Sequence, residues 1–208
     1  MENDIFTPQL LPKYPLMVVI SGPSGIGKDT VVRLLEKRQD SFRFVVTAAS
    51  RSPRAGEVDG VDYLFVSKER FREMIDNNEL IEYAEVYSEY KGIPRAHVEE
   101  ALHSGKDVLL RLDVQGAARI RALFPEAVLI FLLPENDEKW LERLQNRHTE
   151  TEEKLRIRCD AARDELKYLP IFDYAVVNET GKLETTVDIV MSILQTEHSR
   201  IHPRKISL

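Results

Sequence analysis

An apolar run, Leu16-Met17-Val18-Val19-Ile20, leads straight into Gly22-Pro23-Ser24-Gly25-Ile26-Gly27-Lys28-Asp29-Thr30, and helix-spaced Val31, Leu34 and Leu35 follow. Strand, glycine turn and helix form the setting that a phosphate-binding loop needs. Glycines let successive backbone N–H groups turn inward around a polyphosphate. The helix N-terminus behind them adds a partial positive charge, and Lys28 would reach the outer phosphates. One position departs from the usual pattern, which puts Ser or Thr directly after the lysine to help hold Mg2+. Asp29 stands there instead, and the hydroxyl comes one residue later, at Thr30. A carboxylate in a first helical turn is favourable by roughly 0.3–1 kcal/mol. Beside phosphates it is repelled unless it faces Mg2+, a metal-bound water or Lys28, so the metal's water shell and a helix cap are the two expected roles.

The rest of the chain alternates in the same way. Leu16–Ile20, Val108–Leu112, Ala127–Leu133 and Tyr174–Val177 read as continuous apolar strands, buried on both faces as in a parallel sheet. Leu155, Cys159, Ala162, Leu166 and Leu169 make one helical stripe, and Leu183, Val187, Val190 and Leu194 another. The pattern predicts an α/β fold: a three-layer sandwich around a parallel core sheet. Residues 47–94 break the alternation with glycines, tyrosines and one helical pattern (Phe71, Met74, Ile75), which predicts an inserted, mostly β subdomain. Residues 140–158 carry Arg143, Arg147, Arg156 and Arg158 around Glu150-Thr151-Glu152-Glu153. They read as two helices and a polar turn, a helical lid, although the acidic run could be only a solvated helix start. The organisation is then a lead-in at 1–14, a core of 15–46 and 95–198, the insert, the lid, and a fraying tail at 199–208.

Composition removes several classes of function. With 208 residues, 43% hydrophobic and 31% charged, the chain is long enough for a sizeable core of ordinary globular balance. A net charge of -6 gives no global pull toward nucleic acid or anionic membrane. No apolar run approaches the roughly 20 residues of a membrane span. One cysteine, Cys159, permits no internal disulfide and fits packing in a reducing compartment. Five histidines (His97, His103, His148, His198, His202) show no metal-ligand spacing and read as surface residues. Trp140 reads as an anchor for the start of the lid helix.

The second chemical constellation is Arg51-Ser52-Pro53-Arg54-Ala55-Gly56-Glu57, continuing to Gly60 and Tyr63. Two arginines three apart beside a proline can fork onto one phosphate, and Tyr63 could add an O–H donor. Arg-x-x-Arg alone would be a solvated surface loop; the phosphate loop upstream and the lid downstream weigh against that.

With the loop Gly-Pro-Ser-Gly-x-Gly-Lys, the segment Arg-x-Pro-Arg-x-Gly-Glu-x-x-Gly-x-Asp-Tyr-x-Phe-Val and the lid Arg-Leu-x-x-Arg-x-Thr-Glu-Thr in order, the chain from about Leu16 to Leu194 resembles the guanylate kinase family. Lys-Asp after the glycines, Tyr-Lys-Gly-Ile-Pro at 90–94 and Leu-Arg-Leu-Asp-Val-Gln-Gly at 110–116 resemble its plastid-type branch and bacterial relatives. The resemblance implies phosphoryl transfer from ATP to GMP, with Mg2+ brought by ATP and near Asp29, Thr30 and Asp113, none of them assigned as a direct ligand. Gly22, Pro23, Ser24, Gly25, Ile26, Gly27, Lys28, Asp29 and Thr30 would bind ATP phosphates, with Asn178 near the adenine. Arg51 and Arg54 would grip the GMP phosphate beside Tyr63, and Glu82 would accept hydrogen bonds from guanine N1 and its 2-amino group. Thr47, Lys91, Gly92 and Asp113 complete the GMP side. Arg143, Arg147 and Arg158 would close over the transferring phosphoryl and share its charge with Lys28 and Arg51.

Three positions depart from the family pattern. Lys91 replaces a tyrosine that touches the GMP phosphate, and Ile93 replaces a hydroxyl that bonds guanine O6. Arg111 stands where other branches carry an aspartate. The partners implied are the two nucleotides, with no nucleic acid and no membrane, in a monomer or homodimer of a bacterial cytoplasm or a plastid stroma. The alternatives are a kinase for another nucleoside monophosphate and a phosphopeptide-binding module of the same fold.

Overall fold

The structure, a computed structural model, describes residues 14–38, 41–54, 56–86, 89–145 and 152–207. Its strands in chain order are Met17–Ser21 (β1), Phe42–Phe44 (β2), Ala48–Ala49 (β3), Leu64–Phe65 (β4), Leu80–Val86 (β5), Glu89–Pro94 (β6), Asp107–Arg111 (β7), Val128–Leu133 (β8) and Tyr174–Val177 (β9). The α-helices are Lys28–Arg38 (α1), Lys68–Asp76 (α2), Arg95–His103 (α3), Val114–Leu123 (α4), Asp137–Gln145 (α5), Glu152–Leu166 (α6) and Leu183–His198 (α7).

Two sheets result. The core sheet runs β2-β7-β1-β8-β9 and every pair is parallel. The insert sheet runs β4-β3-β6-β5, with β6 antiparallel to both neighbours. Side chains alternate across a strand, and β1 divides accordingly. Val18 and Ile20 join Val31, Val32 and Leu35 of α1 and Val187, Val190 and Leu194 of α7 on one face. Met17 and Val19 join Val98 and Ala101 of α3 and Ala117 and Ile120 of α4 on the other. Helices on both faces of a parallel sheet make the three layers expected. The insert holds its own small core of Ala48, Phe71, Met74 and Leu80, and Phe71 stacks on Tyr90 with ring centres 5.3 Å apart.

Four expectations need correction. β9 is apolar in sequence but lies at the edge of the core sheet, where Ala175 and Val177 are exposed, because no strand among the described residues pairs with its outer side. Leu166 is exposed too, although it continues the stripe of α6; Cys159 and Ala162 on that helix do pack, against Trp140 and Leu144 of α5. Residues 199–207 do not trail off. Arg204 reaches back to the buried Glu197 at 2.8 and 3.1 Å and to Asp173 at 3.4 Å, and Ile206 packs on the second core face. His198 is likewise engaged, with Nε2 2.8 Å from Asp107, whose other oxygen accepts the Leu16 N–H at 2.8 Å.

Candidate active site

The turn after β1 is shaped by its glycines. Gly22 has φ +137°, and a Cβ there would lie 2.5 Å from the Leu132 carbonyl oxygen, so only glycine lets the loop leave the sheet against β8. Gly25 has φ +80° and leaves room for Leu144 of α5, whose Cδ2 would be 2.7 Å from an added Cβ. Helix α5 is seated on this loop: Leu144 is fully buried and the Trp140 indole N–H donates to the Ser24 carbonyl at 3.0 Å. From behind, the buried Asn178 donates to the Ile26 carbonyl at 2.7 Å and accepts from the Thr186 hydroxyl at 2.9 Å.

Lys28 begins α1 and folds inward, donating to the carbonyls of Gly22 at 2.6 Å and Pro23 at 3.1 Å. Burial holds its ammonium below the usual lysine range, against the opposing pull of Glu165, Asp29 and Asp113. Asp29 lies in the first turn of α1 and has a protein partner besides the two expected roles. Its carboxylate accepts from Arg111 at 2.7 Å, and that guanidinium also donates to the Asp62 carbonyl at 2.9 Å. Arg111 lies over the Phe44 ring at 5.3 Å and the Tyr63 ring at 4.8 Å. Asp62, in turn, pairs with Arg33 of α1 and accepts the Val58 N–H at 2.9 Å. The insert is therefore tied to the phosphate-loop helix by two arginines.

Arg51 lies against Tyr63 at 4.9 Å. Both arms of its guanidinium are held by Glu57, at 2.6 and 2.7 Å. Glu57 also accepts the Arg54 N–H at 2.7 Å. The bidentate Arg51 bond takes the Glu57 carboxyl down to about 2. On β5, Glu82 is buried and pairs with Arg119 of α4. Burial raises its carboxyl above the usual range and Arg119 opposes the rise. Asp113 caps α4, accepting the Gly116 N–H at 2.8 Å. Glu165 on α6 faces Lys28, with Oε2 buried and unpartnered; burial raises its carboxyl while Lys28 pulls it down.

These groups line one cleft of about 470 Å³ between the core sheet and the insert. Of the residues singled out in the sequence, Ser24 to Thr30, Thr47, Arg54, Tyr63, Glu82, Lys91, Gly92 and Asp113 line it. Gly22, Pro23, Asn178 and Arg51 do not line it. Arg143 stands outside as well, bonded to the carbonyls of Asn178 at 2.6 Å and Ile26 at 3.4 Å and to the Thr180 hydroxyl at 2.9 Å. Ile93 is buried in the core beneath the insert and gives the cleft no contact. Arg147 lies outside the described residues, and Arg158 is placed only as part of α6. Sequence reasoning missed Arg33, Arg119 and Glu165, each a lone charged residue on a helix with no local motif to mark it; Asp62 lies inside the Arg-x-Pro-Arg segment, where it carried no assigned role. Among the described residues no cluster of three or more His, Cys, Asp or Glu could hold a metal ion, and no helix is long and apolar enough to cross a membrane.

The family model described as Guanylate kinase matches residues 14–197. A chloroplastic/mitochondrial guanylate kinase 2 of Oryza sativa subsp. japonica is 48% identical over 95% of this chain and 70% of its own length. A guanylate kinase of Clostridioides difficile is 42% identical over 91% of each. Among solved structures, a guanylate kinase from Anaplasma phagocytophilum superimposes with a TM-score of 0.76 at 30% identity, covering 92% of this chain and 90% of that one.

Proposed function

The chain belongs to the guanylate kinase family, and we propose from this premise that it passes a phosphoryl group reversibly from ATP to GMP or dGMP, giving ADP and GDP. One observation carries the reading: the phosphate-loop lysine and a buried carboxylate suited to guanine, Glu82, face the same cleft from opposite sides. Guanine presents two neighbouring donors, N1–H and the 2-amino group, and a carboxylate accepts both. A base without that pair leaves the buried carboxylate unsatisfied, a difference worth several orders of magnitude in a well-built site.

In this reading the ATP phosphates lie on the amides of Ser24 to Thr30, and Lys28 turns from the Gly22 and Pro23 carbonyls to the outer phosphates. The monophosphate of GMP meets Arg54, Tyr63 and Lys91, with Arg51 steadied by Glu57. The attacking phosphate oxygen is already anionic, so no general base is needed. The protein's work is alignment, neutralisation of charge on the equatorial oxygens, and exclusion of water as a competing acceptor. Arg147 and Arg158 are the lid residues assigned to closing over the transferring phosphoryl and sharing its charge.

Mg2+ with ATP is part of the proposal. The residues present fit an ion held mainly by phosphates and water, as Mg2+ usually is: Asp29 and Thr30 are exposed at the mouth of the loop and no ready cage exists among the described residues. When bound it would supply charge neutralisation on the ATP phosphates. The relatives come from bacteria and a plant organelle, and a bacterial cytoplasm or plastid stroma is proposed as the compartment.

A coupled assay with ATP against GMP, dGMP, AMP, UMP and CMP tests the reading. Turnover on GMP and dGMP alone is expected. Preference for AMP would remove the role of Glu82, and no turnover on any acceptor would favour the phosphopeptide-binding alternative.

A further inference from the structure

Glu82 is buried on β5 and, among the described residues, its carboxylate meets one cation, Arg119, whose helix α4 belongs to the core and not to the insert. Arg119 is partly exposed and lines the cleft beside Glu82. We propose that Arg119 is a specificity-determining positioning residue: by holding Glu82 as a carboxylate, it makes that side chain a pair of acceptors and so a reader of guanine. The inference rests on the reading of Glu82 as the base-facing group.

The chemistry follows from what a carboxyl group offers in its two states. Ionised, it accepts through both oxygens and donates nothing, which matches a base edge carrying N–H beside NH2. Protonated, it offers one donor and one acceptor. That set clashes with the guanine edge and matches the adenine edge, where an amino group lies beside an unprotonated ring nitrogen. The protonation state of Glu82 therefore decides which purine is read. Burial pushes Glu82 toward the neutral form and Asp113, at the cap of α4, pushes the same way; Arg119 is the opposing partner. Lys91 on β6 lines the same cleft but lies opposite Ala84 in the strand register, while Glu82 lies opposite Ile93. Removing Arg119 leaves a buried carboxyl with a nearby like charge and no direct counter-ion among the described residues, the combination that raises a carboxyl furthest.

The test uses Arg119→Met, which keeps an apolar stem, with Arg119→Lys as the rescue and Glu82→Gln as a permanent mimic of the neutral acid. kcat and KM for GMP and AMP are measured across pH, with melting curves to confirm folding. For GMP, kcat/KM of wild type is expected to stay level to a lower pH than that of Arg119→Met, which falls by about tenfold per unit once Glu82 titrates, so the GMP:AMP ratio is lower in the variant. The loss should sit mainly in KM for GMP, and Arg119→Lys should restore much of the level profile. A folded Arg119→Met that keeps the wild-type ratio at every pH overturns the proposal. So does a loss equal for both nucleotides and independent of pH, which would mean that Arg119 only braces α4 against β5. Glu82→Gln separates the two levels: if it keeps the GMP preference, the base-facing reading itself fails. If it loses the preference while Arg119→Met does not, only the role of Arg119 fails.

Discussion

Arg111 holds the Asp29 carboxylate at 2.7 Å, and these are the two residues near the phosphate loop that depart from their expected types. An aspartate after the loop lysine brings negative charge toward the phosphates; an arginine from the end of β7 meets it. The Arg111 side chain is 8% exposed and that of Asp29 58%. The pair is therefore screened on one side and adds little to stability. Its weight falls on the position of Asp29 and, through the Asp62 carbonyl and the Tyr63 ring, on the acceptor loop.

Arg111→Ala should accordingly raise KM for ATP by about tenfold, because Asp29 is left uncompensated beside the phosphates, and Asp29→Ser should relieve part of that loss. A double-mutant cycle should give a coupling of about 1 kcal/mol. Additive effects would mean that the two side chains act separately.

Gly22→Ala places a Cβ 2.5 Å from a backbone oxygen at φ +137°. Backbone cannot swing aside as a side chain does, so a cost of about 3 kcal/mol or more is expected, read as a lower midpoint in urea. Gly25→Ala meets the movable Leu144 tip and should cost less in stability while weakening ATP binding. Equal effects of the two would contradict the packing.

The Arg51–Glu57 pair sets a pH dependence. Glu57 titrates near 2 in the folded chain and near 4.3 when unfolded. A depressed folded value means that the pair's stabilisation is whole above about pH 4.3 and is lost as pH falls toward 2. Urea unfolding of wild type should therefore lose more stability between about pH 5 and about pH 3 than that of Glu57→Gln. At neutral pH the variant should have a raised KM for the monophosphate, since Glu57 braces both Arg51 and the Arg54 amide. Parallel pH curves for the two proteins would remove the pair from this account.

Arg143 separates an anchor from a lid. Bonded to the Asn178 and Ile26 carbonyls, it should act on ATP binding and stability, so Arg143→Ala should lower the melting midpoint while kcat falls by less than about tenfold. A group on the transferring phosphoryl costs on the order of 10^3 or more in kcat. A drop of that size at unchanged stability would show that Arg143 leaves its carbonyls during the reaction.

Much of the fold was legible because the core strands are long apolar runs, and the stripes of α1 and α7 follow a helical period. β3 and β4 were not legible, having two residues each, too short for any period. The exposed side of β9 escaped for another reason: an apolar run says that a strand is favourable and nothing about what lies beside it. At the site, residues inside a contiguous motif were legible, as Lys28, Arg54 and Tyr63 show. Their partners were not, because Arg111 and Asp29 are 82 positions apart and Arg119 and Glu82 are 37 apart. A charged residue carries no mark of the opposite charge that it will meet.

The loop around Lys28 is made before the residues that finish it. Gly22 rests against Leu132, the Ser24 carbonyl waits for Trp140, and the Ile26 carbonyl is closed by Asn178, 152 positions downstream. A nascent chain that has emerged only as far as β7 holds every residue of the donor motif and none of these three supports. Long-range pairings of this kind slow folding, so nucleotide affinity should arise abruptly once α7 has emerged and closes over the strands it was made to cover.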